Sequence, residues 1–351
     1  MSHLFAGVCV FVLLLVGVVR VGAQCPPVAL GDPAALSGGE FGHAVAFDGV
    51  HAVVGSPGAE RAVVYRFDGS GFVEVTTLTS SSVTASSRFG SSVAIVGTLI
   101  VVGAPNDDEV AVDAGAVVVF RFDGSTWVEE TKLTAAAPAV GDQLGRAGLA
   151  TDGQQIAAAA PSPATPRVVL FRLESGLWIP WDELLPQPGS DDGFGADVDF
   201  GAGWLVATSE APTGVQAPSA HIFRRVAGVY TFDTLVTGMI GDAWRSVSLS
   251  ADRCVVGATG ANGGTGEVRT FRYDGSGWVD DGVIDGTGNA LFGSAVAVHG
   301  DALVVGAEGS VDPGAGVASG RAVLYRKDAV DVWTLAQDLP ASLPEAGLRH
   351  G

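Results

Sequence analysis

The chain has 351 residues, of which 47% are hydrophobic, only 16% are charged and 50 are glycine. Such a composition is too apolar for disorder and too rich in glycine for a helical protein. With 38 acidic against 19 basic residues the net charge is −19. That excludes nucleic acid as a partner, because its phosphates are held by clustered Lys and Arg.

In chain order, residues 1–23 read as a secretion signal peptide. An apolar run from Val8 to Val19 is followed by Val21-Gly22-Ala23, the small residues of a cleavage site. The run is short for a membrane span of ~20 residues, so no retained span is expected and the protein is expected to be secreted or extracellular. Two cysteines would remain, Cys25 and Cys254. Export permits a disulfide between them. Cys254 lies inside the strand-like Arg253-Cys254-Val255-Val256, and the expectation there is a buried free thiol. Residues 24–40 resemble the end of a repeat unit and are assigned as an N-terminal closing strand.

Residues 41–340 are periodic. Units open at Phe41, Phe89, Leu144, Phe194, Trp244 and Phe292, at intervals of about 50 residues, and five of the six openings continue with Gly. A second column pairs an aromatic residue with Arg: Tyr65-Arg66, Phe120-Arg121, Phe171-Arg172, Phe223-Arg224, Phe271-Arg272 and Tyr325-Arg326. A third follows about six residues later at Phe72, Trp127, Trp178, Tyr230, Trp278 and Trp333. Residues 89–133 are the best-preserved unit, with Phe89, Gly90, Phe120, Arg121 and Trp127 all in place. Within it, short Val- and Ile-rich runs are joined at Gly97-Thr98 and Asp123-Gly124, the signature of four antiparallel strands with tight turns.

Six such units predict an all-β chain, a β-propeller of four-stranded blades packed radially. Small apolar residues are expected on the innermost strands, where the blades converge, as in Ser91-Ser92-Val93-Ala94 and Ser294-Ala295-Val296-Ala297. The aromatic-Arg columns are read as structural packing between blades. Residues 341–351 form a C-terminal tail.

Phe89-Gly90 together with Gly103-Ala104-Pro105 resembles the FG-GAP repeat of the propeller at the N-terminus of integrin alpha subunits, in a bacterial-type secreted form. The Phe-Gly part recurs at residues 41, 194 and 292. The resemblance covers residues 41–340 and implies seven blades as the usual number, whereas six full units are present. It also implies a non-catalytic binding or structural module, making protein–protein or adhesion-type contacts with an extracellular or cell-surface protein.

The turns between first and second strands are short, and the loops between second and third strands are long, as at 103–114, 208–219, 257–266 and 306–319. The long-loop face is therefore the expected binding face. In integrins calcium is held between first and second strands, and the matching turns here are too short to wrap a cation. One acidic loop, Asn106, Asp107, Asp108 and Asp113, has enough oxygen ligands to be a candidate calcium site. Asp191-Asp192 and Asp312 are weaker candidates. Catalysis is not expected: there is no Gly-x-Ser-x-Gly elbow, neither Lys132 nor Lys327 follows a glycine, and no histidines pair at zinc spacing. Two alternatives stand beside the binding module. A carbohydrate-binding propeller would take glycans as partners. A hydrolase would need carboxylates converging at the ring axis.

Overall fold

The computed structural model describes residue 34 and residues 38–189, 193–287, 290–310, 320–328 and 331–340. The signal peptide, most of the closing strand, Cys25, Asp191-Asp192, Asp312 and the tail lie outside them. The described residues form an all-β propeller of six four-stranded antiparallel blades. Blade 1 runs from Val45 to Leu78, blade 2 from Val93 to Leu133 and blade 3 from Leu149 to Leu184. Blade 4 runs from Phe194 to Thr237, blade 5 from Trp244 to Asp285 and blade 6 from Phe292 to Pro340. In every blade the strands neighbour one another in sequence order.

The second strand of each blade is the most buried, because sheets cover both of its faces. Leu99–Ala104 and Gln155–Ala160 are buried throughout. Apolar clusters join consecutive blades. One contains Val53, Val64, Val102 and Phe120 across blades 1 and 2, and another Val117, Ala158 and Phe171 across blades 2 and 3. The third-column aromatics belong to this packing. Trp127 of blade 2 is buried with blade-1 residues, and its ring meets His51 edge-on at 5.8 Å. The column arginines sit on the rim instead. Arg121 pairs with Glu130 at 2.6 Å, and Arg224 lies over the Trp204 ring at 5.4 Å. Cys254 is a fully buried free thiol, and burial pushes its ionisation up.

The two halves of the repeat motif meet between blades. Gly90 has φ +100°, a left-handed conformation that favours glycine, and its N–H donates to the Gly103 carbonyl of its own blade at 2.9 Å. Gly103 in turn lies against the Gly145 carbonyl of blade 3, so closely that an added methyl would overlap the oxygen. Gly55 against Gly90 and Gly257 against Gly293 repeat that contact. Ser92 Oγ of blade 2 donates to the same Gly145 carbonyl at 2.7 Å, and Ser246 Oγ of blade 5 to the Gly293 carbonyl at 2.9 Å.

Three outcomes follow. Gly103→Ala places a methyl against a rigid carbonyl and should lower stability by about 3 kcal/mol in chemical denaturation. Gly71→Ala, with open space around it, should stay within about 0.5 kcal/mol of the parent. Trp127→Ala should cost roughly 3–5 kcal/mol, the range for a large buried aromatic.

Candidate functional site

The innermost strands stand nearest the ring axis, and on the face turned to the next blade their residues are small in five of the blades. At one level they are Ala44, Ser92, Gly148, Ser246 and Ala295. Two residues further on they are Ala46, Ala94, Ala150, Ser248 and Ala297. Blade 4 carries Asp197 and Asp199 at these two levels. Strand alternation turns both side chains the same way, ~7 Å apart along the strand.

Both carboxylates reach the innermost strand of blade 5. Asp197 Oδ2 accepts from the Val247 N–H at 2.9 Å, and Asp199 Oδ2 from the Leu249 N–H at 2.8 Å. Their Oδ1 atoms accept from the N–H groups of Val198 and Phe200 at 2.9 and 2.8 Å. The link continues round the ring: Ser248 and Ser250 Oγ accept from the Val298 and Gly300 N–H groups of blade 6. The glycine contact seen between blades 1 and 2, 2 and 3, and 5 and 6 is absent here, because Thr208 and Arg245 stand in place of both glycines. The carboxylates bridge the gap that this leaves.

Both aspartates are half-buried. Burial pushes Asp197 up to about 7 and Asp199 up to about 6, against the N–H bonds that pull both down. The charge on Asp199 adds to the rise at Asp197. Both carboxyls therefore retain their protons to a higher pH than an ordinary aspartate, Asp197 further than Asp199, the direction of shift an acid–base pair needs. Comparing the inner strands position by position would have found this pair in the sequence. The expectation of small residues throughout the axis passed over it.

The acidic loop between the second and third strands of blade 2 is arranged differently from a cation site. Asp107 is fully buried, with one oxygen accepting from the Thr84 N–H at 2.7 Å and the other from Lys132 Nζ at 2.9 Å. Lys132 also bonds Glu109. Asp108 Oδ1 accepts from the Asp113 N–H at 2.7 Å, and the Asn106 N–H donates to the Ser87 carbonyl. Asn106, Asp107, Asp108 and Asp113 thus share a loop, but an ammonium group holds the central carboxylate. Among the described residues no three metal-ligating side chains converge.

A shallow pocket of about 120 Å³ lies between blades 3 and 4 on the short-turn face, opposite the expected long-loop face. Its lining includes Asp152, Phe200, Trp204, Arg225 and Tyr230.

A family model described as "FG-GAP repeat" matches residues 72–120 and 284–325. No curated protein matches the sequence. Among solved structures, a candidate 6-phosphogluconolactonase from Bacteroides uniformis is similar at 13% identity, with 85% of each chain covered and a TM-score of 0.62. A second, from Bacteroides fragilis, is similar at 12% identity, with 84% of this chain and 82% of that chain covered and a TM-score of 0.58. A Lactobacillus plantarum protein gives 14% identity, 80% and 77% coverage and a TM-score of 0.54. At these identities the likeness is one of fold.

These neighbours correct the expectation of a non-catalytic binding or structural module. That expectation rested on the fold, and propellers of this fold include proteins named for a hydrolase. The fold therefore gives no ground for setting catalysis aside.

The axial pair has a measurable consequence for stability. Both carboxyls bind protons more tightly in the folded state than in the unfolded chain, where aspartate titrates near pH ~4. Their contribution to stability is therefore most favourable at acid pH and is lost as pH rises from about 4 to about 7. Across that window the thermal midpoint of the parent should fall relative to an Asp197→Asn, Asp199→Asn double variant. Parallel curves would mean that neither carboxyl is shifted.

Proposed function

We propose that this chain, an FG-GAP repeat propeller of six blades, is a hydrolase acting through Asp197 and Asp199 on a neutral polar substrate at the ring axis. The observation that carries the reading is the pair itself. Two carboxylates occupy positions that are Ala, Gly or Ser in the other five blades, and their environments separate their protonation. Titratable groups perturbed by burial and by one another are the usual mark of acid–base sites.

In the proposed reaction Asp199, ionised, takes a proton from a water molecule whose oxygen attacks the acyl or anomeric carbon. Asp197, protonated, gives its proton to the leaving oxygen as the carbon–oxygen bond breaks. One water is consumed, and a hydroxyl product and an acid or hemiacetal are released. Carboxyl groups ~7 Å apart leave room for that water. The Val247 and Leu249 N–H bonds hold both side chains in fixed orientations, which pre-organises the pair.

The neighbours' names supply the reaction class, and the charge of this chain argues against their substrate. A phosphate at the axis would face two carboxylates, and both lysines are engaged elsewhere, Lys132 with Asp107 and Lys327 with Asp281. The substrate class is accordingly an unphosphorylated lactone, ester or glycoside. The signal reading of residues 1–23 puts its place of action outside the cytoplasm.

The test is a panel of neutral aldonolactones, aryl esters and aryl glycosides. One class should be hydrolysed, with a bell-shaped pH profile of kcat/KM whose limbs lie near 6 and 7. Asp199→Asn should lower kcat/KM about 10²–10⁴-fold in a folded protein. Turnover of no class, or full activity in folded Asp197→Asn and Asp199→Asn variants, contradicts the reading.

A further inference from the structure

The pocket between blades 3 and 4 exists because one residue breaks the repeat. In blades 1, 2 and 5 the residue after the column arginine is aromatic and stacks on the third-column ring. Phe67 meets Phe72 at 5.3 Å, Phe122 meets Trp127 at 5.4 Å and Tyr273 meets Trp278 at 5.8 Å. Blade 3 has Leu173 there, packed against the core. Blade 6 has Lys327, folded over Trp333 and bonded to Asp281. Blade 4 has Arg225, paired in register with Tyr230. Its guanidinium turns away to the Gln155 side-chain oxygen of blade 3, at 3.0 and 3.3 Å, in the amide orientation that satisfies both groups. The space that a ring fills in blades 1, 2 and 5 is left open.

Two further substitutions shape that space. Tyr230 replaces the column tryptophan, and its hydroxyl shares a hydrogen bond with the Gln155 side chain. Gly201, Ala202 and Gly203 form the turn beside it and present no bulky side chain. Asp152 engages Oδ1 with the N–H groups of Gln154 and Gln155 in its own turn, and its Oδ2 lies at the rim 3.3 Å from the Gln155 side-chain amide.

We propose that this pocket binds a single pyranose ring. The walls of Phe200, Trp204 and Tyr230 suit the C–H face of a sugar, and Arg225 and Asp152 supply a donor fork and an acceptor for adjacent hydroxyls. One positive and one negative side chain cancel at the rim, which favours a neutral hydroxylated ligand over an anion or a cation. A volume of about 120 Å³ seats one ring and leaves any linked residues in solvent. The binding site faces the short-turn side, and Phe200 in its wall directly follows Asp199, so it stands next to one mouth of the axis. It is a separate site, and its binding does not depend on the axial chemistry.

The experiment titrates the full chain with glucose, galactose, mannose, xylose and N-acetylglucosamine, read by tryptophan fluorescence and by saturation-transfer NMR. At least one sugar should saturate the signal. Arg225→Phe restores the ring that blades 1 and 2 carry, so it should fold with an unchanged thermal midpoint and weaken that sugar roughly tenfold or more. Asp199→Asn should bind it as the parent does, which separates this site from the axial one. No saturable signal from any of the five sugars, or undiminished binding by folded Arg225→Phe, overturns the proposal.

Discussion

Three of the six blade junctions are built on one close approach, the glycine Cα of one blade against the glycine carbonyl of the next. Gly55 on Gly90, Gly103 on Gly145 and Gly257 on Gly293 set how near successive inner strands can come. The same glycines tie each blade to itself, since the Gly90 N–H donates to the Gly103 carbonyl. The Phe-Gly and Gly-Ala-Pro halves of the motif are thus two sides of a single contact, within a blade and between blades. This accounts for their repetition about every 50 residues. The large aromatics at Phe89, Phe120 and Trp127 fill the wedge that opens outward from that contact.

Ala159 replaces one glycine of the contact between blades 3 and 4, and between blades 4 and 5 Thr208 and Arg245 replace both. Asp197 and Asp199 appear at that same junction, bonded to the Val247 and Leu249 N–H groups. A carboxylate can span a gap that a glycine contact cannot, but it brings charge into a partly dehydrated axis, and burial shifts its protonation toward neutrality. The bridge between blades 4 and 5 and the proposed acid–base pair are therefore the same two residues. Blade 4 also holds Arg225 and Tyr230, which open the neighbouring pocket. Blade 4 thus departs from the repeat both at its innermost strand and at its third-strand rim.

Much of the fold was legible because its determinants recur. The opening pairs, the aromatic-Arg column and the third aromatic column mark six blades without reference to any structure, and the Asp-Gly turns mark the hairpins. Asp123 shows why those turns work: its Oδ1 accepts the N–H groups of Ser125 and Thr126. What recurs cannot single out a site. Asp197 and Asp199 were hidden in Gly195-Ala196-Asp197-Val198-Asp199-Phe200, which reads as one more alternating strand until it is compared with the other five. The acidic loop attracted attention by composition alone, and composition does not reveal that Lys132, more than twenty residues away in sequence, neutralises Asp107. The pocket was invisible for a similar reason. Arg225 looks like an ordinary rim arginine until the stacked rings of blades 1, 2 and 5 show what it has displaced.

Asp197 and Asp199 on the innermost strand of blade 4 titrate well above the ordinary aspartate range, Asp197 above Asp199. The direct measurement is a carbon-13 NMR titration of the two aspartate carboxyls in the intact protein, assigned with the single Asp→Asn variants. Two carboxyl signals titrating near 6 and 7 are predicted. Two signals titrating together near pH ~4, as in a solvated chain, would contradict the claim.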